Sequence, residues 1–339
     1  MVMNSLLAKN AETLCDLPRG RAPHIESDLD FSKDGANSMR KTDSGTKPNI
    51  DVAAIDSCAS IAPGMEARLY PVALLLYCCF MPTNGVVLSL EGKVALVTGG
   101  SRGIGAAIVR SFTSAGARVL FNYQQARSEA DALARECGGE SRCVAVQAEL
   151  SSSVASAKLV DAAVQRFGTL DIVVGNHGIW PPNDAPIDRM TDEQWRRTMA
   201  INLDSIFGLV KHGVASMKKT GGGHIVLISS TAGQRGEAFH CDYAASKGAM
   251  ISMVKGLSTE LARDNIYVNC VAPGWVETDM AAPALRDPEI SKRVFATIPL
   301  GRVGKPEEIA ATVLFLCTPH AGFITGEILN VNGGAVLVG

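Results

Sequence analysis

The sequence predicts an α/β fold, a three-layer sandwich built on a doubly wound, seven-stranded parallel sheet. Three observations predict it: from Leu90 onward short apolar runs alternate with longer amphipathic stretches, seven of the runs have strand length, and the first passes through a glycine-rich turn into a helical pattern. Alternation of this kind marks repeated βαβ units, and a parallel sheet has helices over both faces because its crossovers supply them.

Strands are expected over 94–97, 119–121, 143–146, 172–174, 224–228, 267–271 and 328–331, each a short Val-, Ile- or Leu-rich run. Helices are expected among the intervening stretches, such as 104–115, 154–167, 205–218, 243–263 and 306–317. One domain over 89–339 holds them all, and 47% hydrophobic residues suffice for its core. Residues 1–88 differ: they are polar, lack periodicity, carry six dispersed prolines and read as a largely disordered, unassigned N-terminal segment. The apolar run 72–81 within them falls short of the roughly 20 residues that span a bilayer. It reads as a local hydrophobic patch, or as sequence preceding a start near Met81, ahead of a membrane-contacting or import segment.

Composition narrows the function classes. A formal net charge of -2 without long basic runs gives no electrostatic footprint for nucleic acid. Nine cysteines without a C-x-x-C pair suit a reducing, cytoplasmic compartment, and the six histidines never form H-E-x-x-H, so no metal site is expected.

The turn Thr98-Gly99-Gly100-Ser101-Arg102-Gly103-Ile104-Gly105 leads from the first strand into the first helix. Glycines there let backbone approach a pyrophosphate, and the helix start aims N–H groups at the charge, so a dinucleotide is expected on this loop. Its G-x-x-x-G-x-G spacing departs from the common G-x-G-x-x-G. An NAD site places an acid about 20 residues beyond the loop. Here the second strand ends Phe121-Asn122-Tyr123-Gln124, without one. With Arg102 or Arg127 placed to meet a 2'-phosphate, NADP(H) is the preferred cofactor and NAD(H) the alternative. Both arginines read equally as solvated surface cations.

Tyr243 and Lys247 lie i, i+4 at the start of a long helical stretch, which puts phenol and ammonium on one face. A neighbouring cation favours phenolate, so the Tyr243 pKa is expected to fall toward neutrality. Ser230, thirteen residues earlier at a strand end, faces the crevice where open α/β sheets bind ligands. A hydroxyl there is suited to hydrogen-bond a substrate oxygen, though alone it reads as a turn serine. Asn202 alone reads as a helix cap or a mid-helix polar residue.

Together these residues make the chain from about Lys93 to Gly334 resemble the short-chain dehydrogenase/reductase family, a Rossmann-fold family of oxidoreductases. The family loop T-G-x-x-x-G-x-G matches Thr98, Gly99, Gly103 and Gly105, and its Asn, Ser, Tyr, Lys order matches Asn202, Ser230, Tyr243 and Lys247. The resemblance extends through Asn269, Pro273, Gly274, Val276 and Thr278, a segment that in the family meets the nicotinamide side. It implies cofactor contacts at Ser101, Ile104, Asn122, Glu149, Leu150, Asn176 and Gly178 as well. It also implies hydride transfer to or from a carbonyl carbon, Tyr243 carrying the proton and Ser230 orienting the oxygen. Lys247 holds the nicotinamide ribose and lowers the tyrosine pKa, and Asn202 supports a water chain.

Two positions depart from the family. Its N-N-A-G reads here Gly175-Asn176-His177-Gly178, and Glu149 stands where an Asp is usual. His177 acts on substrate or, the commoner fate, is satisfied by neighbouring backbone. The nearest subgroup by resemblance is the 3-oxoacyl-[acyl-carrier-protein] reductase type, through Gly301-Arg302-Val303-Gly304-Lys305-Pro306-Glu307-Glu308 and Glu277-Thr278-Asp279-Met280. Against it, the end of the Tyr243 helix has Asp264-Asn265 where carrier-protein-dependent members tend to be basic, with Arg263 and Lys218 the available compensation. The stretches 178–186 and 236–240 suit sugars, alcohols or aromatic ketones equally. Rival readings are an NAD-linked alcohol, sugar or polyol dehydrogenase and a non-catalytic NADP sensor, which has no use for the tetrad. By resemblance the partners are a small carbonyl or alcohol substrate and other copies of the chain in a homotetramer, packed through the helices near Asn202 and Tyr243; no membrane partner is expected.

Overall fold

A computed structural model describes residues 85–338. The segment expected over 1–88 lies outside the described residues as far as 84, the run 72–81 included. Seven strands appear, all paired in parallel: β1 (Val94–Val97), β2 (Arg118–Tyr123), β3 (Cys143–Gln147), β4 (Ile172–Gly175), β5 (Gly223–Ile228), β6 (Ile266–Pro273) and β7 (Ile328–Val331). Their order is β3-β2-β1-β4-β5-β6-β7, so the chain reverses direction across the sheet between β1 and β4. That switch point opens a crevice beyond the strands' C-terminal ends.

The helices are α1 (Gly103–Ser114), α2 (Arg127–Glu136), α3 (Ser153–Phe167), α4 (Asp192–Met199), α5 (Ser205–Thr220), α6 (Thr231–Arg235), α7 (Cys241–Leu261), α8 (Ala282–Arg286), α9 (Pro288–Ala296) and α10 (Pro306–Leu316). Strand side chains alternate between two cores, as a period of two requires. Ala95 and Val97 of β1 join Ile108 and Phe112 of α1, Leu133 of α2 and Val313 of α10 on one face. Val94 and Leu96 join Leu159 of α3, Leu209 of α5 and Val254 of α7 on the other. The three-layer α/β expectation holds, and every expected strand is present.

The sequence pattern did not mark α2 or α4. Each is polar at most positions and buries little, only Ala130 and Leu133 in α2 and Thr198 in α4. α4 instead depends on its ends: the Thr191 side chain accepts from Gln194 N, and Arg196 pairs with Asp192 one turn earlier. Between α4 and α5 the helix widens into a π turn, Ala200–Asp204, with Asn202 buried inside it. Asn202 therefore caps no helix. π turns of this kind are short, strained insertions that recur at functional sites.

Candidate active site

Three glycines shape the loop after β1 for different reasons. Gly99 and Gly103 have φ of +63° and +53°, a region that L side chains rarely adopt. At Gly105 a Cβ would lie 2.1 Å from the Gly99 carbonyl oxygen, so only a bare Cα lets α1 start against the loop. No side chain caps the α1 N-terminus. Its first N–H groups face a cleft of about 590 Å³ lined by Ser101, Arg102, Ile104 and Gly105.

Asn122 and Asn176, expected to touch cofactor, border this cleft but commit their amides to the loop. Asn122 Oδ1 accepts from Gly99 N at 2.8 Å while Nδ2 donates to Ala148 O at 2.9 Å. Asn176 Nδ2 donates to Thr98 O at 2.9 Å and Gly99 O at 3.2 Å. Their role is to brace the loop. Glu149, Leu150, Gly178, Pro273, Gly274, Val276 and Thr278 line the same cleft.

Ser230, Tyr243 and Lys247 also converge on it. Ser230, two residues beyond the end of β5, caps α6, accepting from Ala232 N at 3.1 Å. Lys247 Nζ donates to Ile228 O at 2.9 Å, and the Ser229 hydroxyl donates to Lys247 O at 2.8 Å, which anchors α7 to the end of β5. Asn202 sits behind the cleft wall. Its Oδ1 accepts from Ile179 N at 2.8 Å, and Nδ2 donates to Ile179 O and to Ser246 Oγ at 2.9 and 3.1 Å. A Cβ on Gly178 would come within 3.1 Å of Asn202 Oδ1 and 3.4 Å of Lys247 Nζ, so this glycine keeps the space between them open.

The protonation pattern reverses the expectation for Tyr243. Burial pushes its phenol up to about 12, and only the Ser230 side chain opposes that rise. Burial lowers Lys247 to about 8. The two share a face as expected, but Nζ lies 5.8 Å from the phenol ring centre. At that distance desolvation outweighs the cation's pull. A neutral phenol at neutral pH is the form that donates a proton.

The sequence pattern of the family described as Enoyl-(Acyl carrier protein) reductase matches residues 99–336. The chain belongs to the short-chain dehydrogenase/reductase family. A 3-oxoacyl-[acyl-carrier-protein] reductase, FabG of Vibrio cholerae, is 40% identical over 251 residues, covering 74% of this chain and 100% of the relative. A solved short-chain dehydrogenase/reductase from Brucella melitensis, described as a glucose/ribitol dehydrogenase, is 37% identical with a TM-score of 0.67, covering 73% of this chain and 98% of its own. A blue fluorescent protein from a metagenomic library, solved in complex with NADPH, is also 37% identical, with a TM-score of 0.68, covering 74% of this chain and 100% of its own. The chain is thus an oxidoreductase of the short-chain dehydrogenase/reductase family, acting on CH–OH groups with a nicotinamide cofactor.

Against the family pattern, His177 is a buried bridge. Thr98 Oγ1 accepts from Asn176 N and His177 N, donates to Val174 O at 3.2 Å and lies 2.8 Å from His177 Nδ1. Nε2 lies 2.6 Å from Ser205 Oγ, which donates to Ile201 O at 2.7 Å. The imidazole is satisfied by two hydroxyls, where neighbouring backbone was expected. Burial lowers it to about 3, with the Lys247 charge adding to the effect. Between its unfolded value near 6.5 and that folded value, the unfolded chain binds a proton that the folded chain refuses. Stability therefore rises with pH across this window and is lost on acidification. His177→Ala is expected to cost about 3 kcal/mol at pH 7, by removing the two imidazole contacts to Thr98 and Ser205 and leaving a cavity between them. It should also flatten the acid limb; urea midpoints of both proteins from pH 7 to pH 4 measure both effects.

The arginines separate. Arg102 borders the short-chain dehydrogenase/reductase cleft, in an exposed ion pair with Asp279 at 3.4 Å. Arg127 pairs with Asp131 of its own helix and is not among the cleft's lining residues, so it leaves the candidate set. Sequence reasoning gave no cleft role to Glu129, which lines the cleft from the first turn of α2, or to Trp275, which meets Trp180 edge-on, while Glu237, bonded to Trp180, lies in the named stretch 236–240. Spacing carried no signal for Glu129 or Trp275, because they reach the cleft from separate elements. Among the described residues no cluster of three His, Cys, Asp or Glu is arranged to hold a metal, and no helix is long and apolar enough to cross a membrane.

Proposed function

We propose that residues 89–339 form an NADP(H)-dependent oxidoreductase domain that interconverts a carbonyl and a secondary alcohol. The observation that carries this reading is the convergence of Ser230, Tyr243 and Lys247 on one cleft whose other end is the glycine loop. The loop fits a dinucleotide: Gly105 lets α1 start hard against the loop, and the uncapped α1 start offers N–H groups for a pyrophosphate.

When bound, the cofactor supplies the hydride. The chain does the rest. Ser230 donates to the substrate oxygen, Tyr243 delivers its phenolic proton to that oxygen, and Lys247 holds the nicotinamide ribose. A phenol protonated at neutral pH has the proton to deliver when a carbonyl is reduced. Asn202, hydrogen-bonded to Ser246 of α7, holds the wall behind Lys247 through which a proton is resupplied. The chain acts in the cytoplasm as a homo-oligomer. The exposed Phe207 on α5 supports a subunit contact through that helix.

Asn122 in place of an acid, with Arg102 beside the loop, supports NADP(H). Arg102→Ala is expected to weaken NADPH binding about 10- to 100-fold and leave NADH nearly unchanged, as loss of a charge-assisted phosphate contact predicts. Fluorescence titration of both nucleotides measures it. A second reading, an NAD-linked sugar or polyol dehydrogenase, draws support from Glu129, an acid on the cleft wall in the first turn of α2. Under that reading NADH binds more tightly and Glu129→Ala weakens it.

The FabG relative supports a 3-oxoacyl thioester as one substrate class. Lys218, however, pairs with Asp264 at 2.7 Å, which leaves Arg263 as the uncommitted cation near the end of α7. Absorbance assays with NADPH over ketones, sugars and short 3-oxoacyl thioesters test the reading; nucleotide binding without turnover of any of them leaves a substrate outside the panel or the sensor reading.

A further inference from the structure

Past Tyr243 the cleft ends in a constellation that the proton-transfer chemistry does not use. Trp180 Nε1 donates to Glu237 Oε1 at 3.3 Å. The Trp180 ring stacks on His240 with centres 4.7 Å apart and meets Trp275 edge-on at 6.3 Å. His240 is itself buried and fixed by Pro181 O at 2.9 Å, so Trp180 is wedged in place. Trp180, Trp275 and Glu237 line the same cleft as Ser230 and Tyr243.

Glu237 is half-buried, and burial raises its carboxyl pKa, the cost a carboxylate bears when it lacks donors. Its one side-chain hydrogen bond is the long contact from Trp180, which leaves Oε2 without a partner. Glu237 and Tyr243 line one cleft, and the carboxylate charge disfavours the phenolate. A partly buried acceptor beside a reaction centre calls for a donor on the substrate. The two indoles offer flat apolar surface suited to the C–H face of a carbon skeleton. A 3-oxoacyl thioester has no hydroxyl donor beside its ketone.

Resting on the carbonyl–alcohol reading above, we infer that Glu237 is a specificity-determining residue that accepts a hydrogen bond from a hydroxyl adjacent to the reacting carbon. The preferred substrate is then a hydroxylated ketone, or the corresponding polyol, of the sugar type. Glu237 takes no proton from the reaction itself; it selects and orients.

The test measures kcat and KM with NADPH, and with NADH, for the full chain on three substrates: 1,3-dihydroxyacetone, its deoxy counterpart acetone, and a short 3-oxoacyl thioester. Each is repeated with Glu237→Leu and Glu237→Gln. The wild-type chain is expected to favour the dihydroxy ketone over acetone by about 10- to 100-fold in kcat/KM, the scale of a hydrogen bond to a charged group. Glu237→Leu lowers kcat/KM for the dihydroxy ketone, through KM, about tenfold more than for acetone, and Glu237→Gln, which keeps an acceptor oxygen, restores part of the preference. Equal losses on both ketones show that Glu237 only anchors Trp180 and overturn the inference. Thioester or acetone turnover without preference for hydroxyls overturns it too, while leaving the oxidoreductase reading standing. A wild-type chain that reduces no carbonyl at all overturns both.

Discussion

Tyr243→Phe is expected to lower kcat about 10³- to 10⁴-fold while NADPH still binds, since the substitution removes one oxygen and no backbone contact. The phenol is buried and held protonated, with a pKa near 12, and faces Ser230 across the cleft. Phenylalanine fills the same volume but has no proton to give, so the loss falls on the chemical step and leaves KM near its wild-type value. Single-turnover absorbance with saturating NADPH, beside a binding titration, measures the two separately. A Phe variant with more than a tenth of wild-type kcat would remove Tyr243 from the proton-transfer role. Loss of nucleotide binding in parallel would recast it as part of the cofactor wall.

Gly105→Ala is expected to abolish nucleotide binding at any practical concentration. The added methyl would meet the Gly99 carbonyl oxygen at 2.1 Å and Asn176 Nδ2 at 2.7 Å. Backbone is on one side and a loop-bracing amide on the other, so neither contact is relieved by a rotamer change. Relief requires α1 to back away from the loop, which breaks the Asn176 hydrogen bonds and displaces the N–H groups that face the cleft. Overpacking of this kind costs about 1–3 kcal/mol in stability. The larger effect is on affinity, because phosphate binding depends on several N–H groups kept in register. NADPH titration together with a urea midpoint tests this; a variant binding within about tenfold of wild type would show that the loop does not hold the pyrophosphate.

Much of this molecule is legible in its sequence. The seven strands read from apolar runs alone, because a parallel strand covered on both faces must be apolar at nearly every position, as β1 is. The glycine loop and the order Asn202, Ser230, Tyr243, Lys247 were readable because each lies in a short local pattern. α2 and α4 were not, since both are polar at most positions and bury one or two residues, too few to stand out as an apolar pattern.

What the sequence by itself determined is the fold class, the loop and the candidates for the reacting side chains, all of which depend on residue type and local spacing. Tertiary structure alone decided how those side chains are charged and what they touch. Burial reversed the expected Tyr243 shift, because desolvation depends on every neighbour and not on the i+4 lysine alone. Asn122 and Asn176 became loop braces because the loop's free N–H and C=O groups lay within their reach. His177 found its partners in Thr98 and Ser205, and Glu237 met Trp180, across separations of 79, 28 and 57 residues. A hydrogen bond acts over about 3 Å of space regardless of the chain between its ends, so only the folded sheet and its crossovers bring such pairs together.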